Sequence, residues 1–115
     1  MIAPEHAQAV LQLQLGMTRE TWQRLQSHGV DEGSSLSLDF YFKSPSYAQA
    51  GALKGFLTEE TDYDVKISAL EDEWLVHGST LPTTVTLPIL EQWVEWMVLA
   101  GFRFDSEFDG WGAEV

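Results

Sequence analysis

Leu36-Ser37-Leu38-Asp39-Phe40-Tyr41-Phe42-Lys43-Ser44-Pro45 is the stretch that decides the fold. Leu36, Leu38, Phe40 and Phe42 alternate with Ser37, Asp39, Tyr41 and Lys43. Side chains of a strand point alternately to its two faces, so this period predicts a strand over 36–42 with one apolar face and one that meets solvent. Ser44-Pro45 then predicts a helix start, the serine as N-cap and the proline in the first turn. That helix is expected to run to about Leu57 and to bury Ala48, Ala52, Leu53, Phe56 and Leu57. Gly51 and Gly55 inside it each cost about 1 kcal/mol against alanine. Their presence is read as close approach of helix to sheet.

Downstream, Tyr63, Val65, Ile67 and Ala69 alternate with Asp64, Lys66 and Ser68. Glu71-Asp72-Glu73 makes an acidic turn, and Trp74 to Thr80 reads as the returning strand of a hairpin. Leu81 to Val85 reads as a loop around Pro82. Leu87-Pro88 opens the last helix, with Ile89, Leu90, Trp93, Met97 and Ala100 on one face and Gly101 as its stop. Residues 102–115 are expected to form a last strand. Its apolar parity changes partway: Phe104 and Phe108 are even, while Trp111, Ala113 and Val115 are odd. A bulge at Asp109-Gly110 would return both sets to one face.

Upstream, residues 4–28 read as helix, with Val10, Leu11, Leu15, Trp22 and Leu25 on one stripe and Thr18 inside it. Pro4 suits the start, and Gly29 the end, with His28 in the last turn. Gly16 and Thr18 leave open one long helix or two short ones. Val30 to Ser35 is a polar loop. The order after this helix is β-α-β-β-α-β, the split-βαβ or ferredoxin-like plan. The expected class is α+β: a four-stranded antiparallel sheet with two helices on one face, plus an N-terminal helical segment. Residues 1–29 form that segment and 30–115 the ferredoxin-like domain, within one structural unit.

The 115 residues include 18 acids and 6 bases, a net charge of -12. Residues 34–115 alone hold fourteen of the acids and four of the bases. Such a surface repels phosphate backbones and anionic lipid, which disfavours direct nucleic-acid and membrane binding. It steers the chain toward a basic partner, although charge also keeps a small domain soluble. The absence of cysteine excludes disulfides, thiolate metal sites and a cysteine nucleophile, and fits the cytoplasm. Met1 to Gly16 lacks the basic start of a signal peptide, and no apolar run has transmembrane length.

Little in the sequence points to catalysis. His6, His28 and His77 stand far apart, without metal-ligand spacing, so neither metal nor cofactor is expected. Glu59-Glu60, Asp62, Asp64 and Glu71-Asp72-Glu73 lie in turns, where water solvates carboxylates and nothing drives their pKa values apart. No phosphate-cradling glycine loop or nucleophile elbow is present. A small acid/base enzyme using His77 and carboxylates is the weakest reading; binding to a protein partner is favoured. The densest unusual segment is Asp105 to Gly112, with three acids and two aromatics around two glycines. It reads either as a partner-binding edge anchored by Trp111 or as a bulged strand whose Trp111 completes the core.

Glu107-Phe108-Asp109-Gly110-Trp111-Gly112 resembles the Tyr-Asp-Gly-Trp-Gly signature that ends the core domain of the regulator of ribonuclease E activity B family, with Phe108 at the tyrosine position. Leu25 to Asp31, the strand Leu36 to Phe42 with Ser44-Pro45, and Thr80-Leu81-Pro82-Thr83 are similar to that family in the same order, over roughly residues 20–115. The resemblance implies a ferredoxin-like fold and a cytoplasmic, cofactor-free protein that binds ribonuclease E and lowers its activity on RNA. An immunity-type or other interaction domain for a different basic partner is the alternative. Expected partner-binding residues are Glu71, Asp72, Glu73, Glu107, Asp109 and Trp111. The sequence leaves the oligomeric state open.

Overall fold

Phe40 and Phe42 are fully buried, and Tyr41 between them is 40% exposed. This alternation forms the middle of the sheet. The structure, a computed structural model, describes residues 3–114; Val115, placed on the odd positions above, lies outside the described residues. The elements are α1 (Pro4–Ser27), β1 (Ser34–Leu36), β2 (Asp39–Ser44), α2 (Tyr47–Glu60), β3 (Asp64–Ala69), β4 (Trp74–Ser79), β5 (Thr83–Val85), α3 (Leu87–Phe102) and β6 (Glu107–Gly112). They make a mixed α+β fold with two antiparallel sheets. The larger runs β3-β4-β2-β6 and the smaller is the pair β1-β5.

One face of the larger sheet presents Phe40, Phe42, Val65, Val76 and Phe108 to the helices. They pack with Leu53 and Leu57 of α2, Val94 and Met97 of α3, and Val10 of α1. Truncating one such buried phenylalanine to alanine typically costs about 3–5 kcal/mol. A second apolar cluster joins Trp22 and Leu25 of α1 to Leu38, Val85 and Leu90. Register pairing puts Lys66, His77, Tyr41 and Gly110 side by side on the opposite face, where Tyr41 and Lys66 are exposed.

The bulge falls where the parity change placed it. Phe42 pairs with Phe108 and Tyr41 with Gly110, so Asp109 has no partner across the ladder. Trp111 then faces Phe40, on the buried side. Gly110 has φ of 132°, a conformation that costs a side-chain-bearing residue strain.

Several elements differ from expectation, each for a physical reason. The single strand 36–42 is two. Leu38 N–H donates to Thr80 Oγ1 and Thr80 N–H to Leu38 O, which turns the chain between β1 and β2. Leu36 pairs instead with Thr83, so the expected loop 81–85 contains β5. Ser44 does not cap α2. It ends β2 with its hydroxyl buried against Ser106, and Ser46 Oγ accepts from Gln49 N–H as the cap.

Within α2 the buried residues are Ala50, Leu53 and Leu57; Phe56 is half-buried, while Ala48 and Ala52 are exposed. Gly51 and Gly55 face open space, so the close-approach reading fails for both. α1 is one continuous helix, because Thr18 Oγ1 donates to Gln14 O within the turn instead of capping a new helix. Ile89 is 43% exposed and not core. β6 is shorter than 102–115, since α3 continues to Phe102 and a turn follows.

The tightest approach at a glycine lies in β4. A Cβ on Gly78 would stand 1.9 Å from the backbone oxygen of Asp64. Overpacking of this kind costs about 1–3 kcal/mol, and more where backbone must move. Urea denaturation should therefore show Gly78→Ala destabilised by about 3 kcal/mol or more. Gly51→Ala, in an open helical position, should be stabilised by about 0.5–1 kcal/mol.

Candidate functional site

The β3–β4 turn, the start of α2 and the turn after α3 share one end of the larger sheet. Ladder pairs Ala69 with Trp74, Trp74 with Ser44, and Lys43 with Glu107 fix that end. Glu71 and Asp72 are exposed there and Glu73 is half-buried. Glu107 lies at the same end, two strands away, roughly 10 Å by ordinary strand spacing. Its Oε1 stands 2.7 Å from His6 Nε2, which ties it to α1. Asp109 is exposed on the open face, with Oδ1 3.9 Å from Lys43 Nζ.

Trp111 does not join these acids. It is half-buried under the sheet, edge-on to Trp93 at 6.1 Å, and its indole N–H donates to Thr18 Oγ1 at 3.0 Å. The structure therefore gathers Glu71, Asp72, Glu73 and Glu107 at one end, sets Asp109 beside them on the open face, and turns Trp111 inward.

The opposite end holds a cleft of about 490 Å³. Three stretches wall it: Glu60 to Tyr63 at the end of α2, Thr80 to Thr83 after β4, and the first turns of α3. Each wall is fixed locally. Thr61 Oγ1 donates back to Leu57 O and accepts from Tyr63 N–H, which sets the turn into β3. Thr80 Oγ1 accepts from Leu38 N–H and donates to Leu81 O, which sets the turn out of β4. Thr86 Oγ1 caps α3 by accepting from Ile89 N–H.

The interior combines buried Leu38, Val85 and Leu90 with half-buried Tyr63 and Trp93, whose indole N–H donates to the Tyr63 hydroxyl at 2.9 Å. Leu81, 61% exposed, and Ile89 form an apolar lip. Glu60 and Asp62 stand on the rim, and no lysine or arginine lines the cleft. Glu60 also ends α2, so the negative end of that helix points at the same rim. Sequence reading placed these residues in elements but missed the cleft. The one available signal was an apolar Leu81-Pro82 pair in a loop; Ile89 was read as part of the buried helix face, and its exposure shows only in the fold.

The described residues lining the cleft include no histidine, lysine, serine or cysteine. Among the described residues, no group of three or more His, Cys, Asp or Glu could hold a metal ion. His77 instead bonds Ser68 on the open face, at 2.9 Å from Nε2 to Oγ. No described helix is long and apolar enough to cross a membrane.

The family model described as regulator of ribonuclease activity B matches residues 16–113, nearly the whole chain. No curated protein matches it.

Burial raises the Tyr63 phenol above its ordinary value of 10.0, and the hydrogen bond from Trp93 opposes this by a smaller amount. A group whose proton affinity is higher in the folded state contributes stability in full below its unfolded value and loses it as pH rises through the folded one. Wild-type stability should accordingly fall as pH climbs above about 10. Tyr63→Phe should lose that part of the decline. Paired urea titrations across alkaline pH would show it as a narrowing gap between the two proteins.

Proposed function

The chain belongs to the regulator of ribonuclease activity B family, and on that premise we propose that it binds ribonuclease E and lowers its cleavage of RNA. The family match over residues 16–113 carries the reading. We read the strand order β3-β4-β2-β6, with α2 and α3 in the crossovers, as the ferredoxin-like plan. The inhibitor acts by occupying a surface of the enzyme, in the cytoplasm and without a cofactor. The net charge of -12 supports a basic protein segment as the contact and disfavours the RNA itself.

Glu71, Asp72, Glu73, Glu107 and Asp109 supply one acidic contact at the hairpin end of the sheet. Trp111 acts from beneath, by holding α1 against β6, and so supports the surface without forming it. An exposed acidic contact of this kind affects association rate and salt sensitivity more than it lengthens the bound lifetime.

Calorimetric titration into ribonuclease E should give saturable binding that weakens from low to moderate salt. Glu71→Lys, Asp72→Lys and Glu73→Lys together should weaken it by about tenfold at low salt while the urea midpoint stays near wild type. Absence of heat at low salt, together with unchanged RNA cleavage, would remove ribonuclease E as the partner. Affinity capture would then be the route to a different basic protein.

A further inference from the structure

We infer that the cleft between the α2–β3 turn, the β4–β5 turn and the start of α3 is a docking pocket for an arginine side chain carried on a basic segment of a protein partner. The inference builds on the reading of the chain as a protein-binding regulator. It names a second contact, at the end of the sheet opposite the acidic hairpin.

Size comes first. At about 490 Å³ the cleft lies within the ordinary range of small binding pockets, about 300–1,000 Å³. That leaves room for one long side chain and the backbone beside it, and far too little for a helix.

Charge selects the occupant. Glu60 and Asp62 stand on the rim, Glu59 and Asp64 flank them in sequence, and the C-terminal carbonyls of α2 add to the same negative field. Residues 67–102, which supply the other two walls, contain no lysine or arginine. A cation entering here meets carboxylates with no competing base from the walls.

The surfaces below the rim choose among cations. Leu81, Pro82 and Ile89 offer apolar contact to a methylene stem, and long basic side chains bury such stems while keeping the charge near water. Tyr63 and Trp93 present aromatic rings, on which a planar guanidinium stacks better than an ammonium. The two oxygens of a rim carboxylate also match the fork of an arginine.

Finally, Thr61, Thr80 and Thr86 already hold all three walls by side-chain hydrogen bonds to backbone. A partner therefore bears little ordering cost in the cleft itself.

The test uses the full chain and short synthetic peptides with one central arginine in a glycine–serine context, beside versions with lysine and with glutamate. The indole N–H resonance of Trp93, assigned by its loss in Trp93→Phe, reports occupancy. The expected result is a saturable shift at low salt, weaker for lysine and missing for glutamate. Glu60→Lys with Asp62→Lys should reduce peptide affinity about tenfold or more, and Leu81→Ala severalfold. Both variants change exposed residues, and a urea midpoint near wild type shows that they fold. No shift with the arginine peptide, equal shifts with lysine and arginine, or shifts confined to the hairpin around Glu71 would overturn the inference.

The same double reversal titrated into ribonuclease E separates the two proposals. Wild-type binding that survives the reversal unchanged removes the cleft from the interface and leaves the inhibitor reading intact. Peptide binding in the cleft, with no binding of wild type to ribonuclease E, removes that enzyme as partner and leaves the pocket standing.

Discussion

The hydrogen bond from the Trp111 indole to Thr18 Oγ1 exists only because β6 bulges at Asp109. In a regular strand, residues 108 and 111 point to opposite faces. One extra residue puts Phe108 opposite Phe42 and Trp111 opposite Phe40, both on the buried side. Phe108 then completes the central core, and Trp111 reaches past the sheet edge to α1. From Trp111 an edge-on aromatic series continues through Trp93, whose indole holds the Tyr63 hydroxyl. The bulge thus places the anchor of the N-terminal helix and, through Trp93, stands behind the aromatic wall of the cleft.

That helix answers a problem set by the sheet order. β6 is an edge strand, and an exposed edge invites pairing with another chain. α1 packs against both α3 and β6. It does so with an unusual buried stripe: Gln14 and Thr18 are as buried as Val10, Trp22 and Leu25. Gln14 Nε2 donates to Phe108 O beside the bulge, and Thr18 receives Trp111. These polar groups satisfy backbone and indole partners that an all-apolar stripe would leave unmet. The Arg19–Glu91 ion pair, at 3.0 Å, adds a contact to α3, but an exposed pair of this kind contributes little.

Much of the fold was legible because strong periodicity and backbone chemistry spoke together. The alternation at Phe40 and Phe42, the hairpin around Glu71-Asp72-Glu73 and the parity break at Asp109-Gly110 were each readable from local pattern. Illegible features depended on partners distant in sequence. β1 and β5 are three residues each and exist through mutual pairing, so neither carries its own signal. Ser44 looked like a cap because a serine before a proline usually is one; burial against Ser106, sixty-two positions away, decided otherwise. Gly78 gave no hint that a side chain there would run into the backbone of Asp64, whereas Gly51 and Gly55, which did attract notice, face open space. Trp111 illustrates the limit best. Its two roles, anchor of an interface or of the core, differ only in the direction set by the bulge.

The cleft and the hairpin turn sit at opposite ends because β3 runs from one to the other, and this separates the acids. Concentrated like charge destabilises a compact chain through self-repulsion. Spreading the acids between the β3–β4 turn and the α2–β3 turn keeps the two groups apart by the length of the strands, so each is screened from the other at physiological salt. A partner that spans both ends would neutralise both groups, whereas a compact basic patch would meet only one. Under the proposed reading, an extended basic segment is the partner geometry that would reach both ends, with the open face bearing Lys43, Lys66 and His77 limiting where that segment can run.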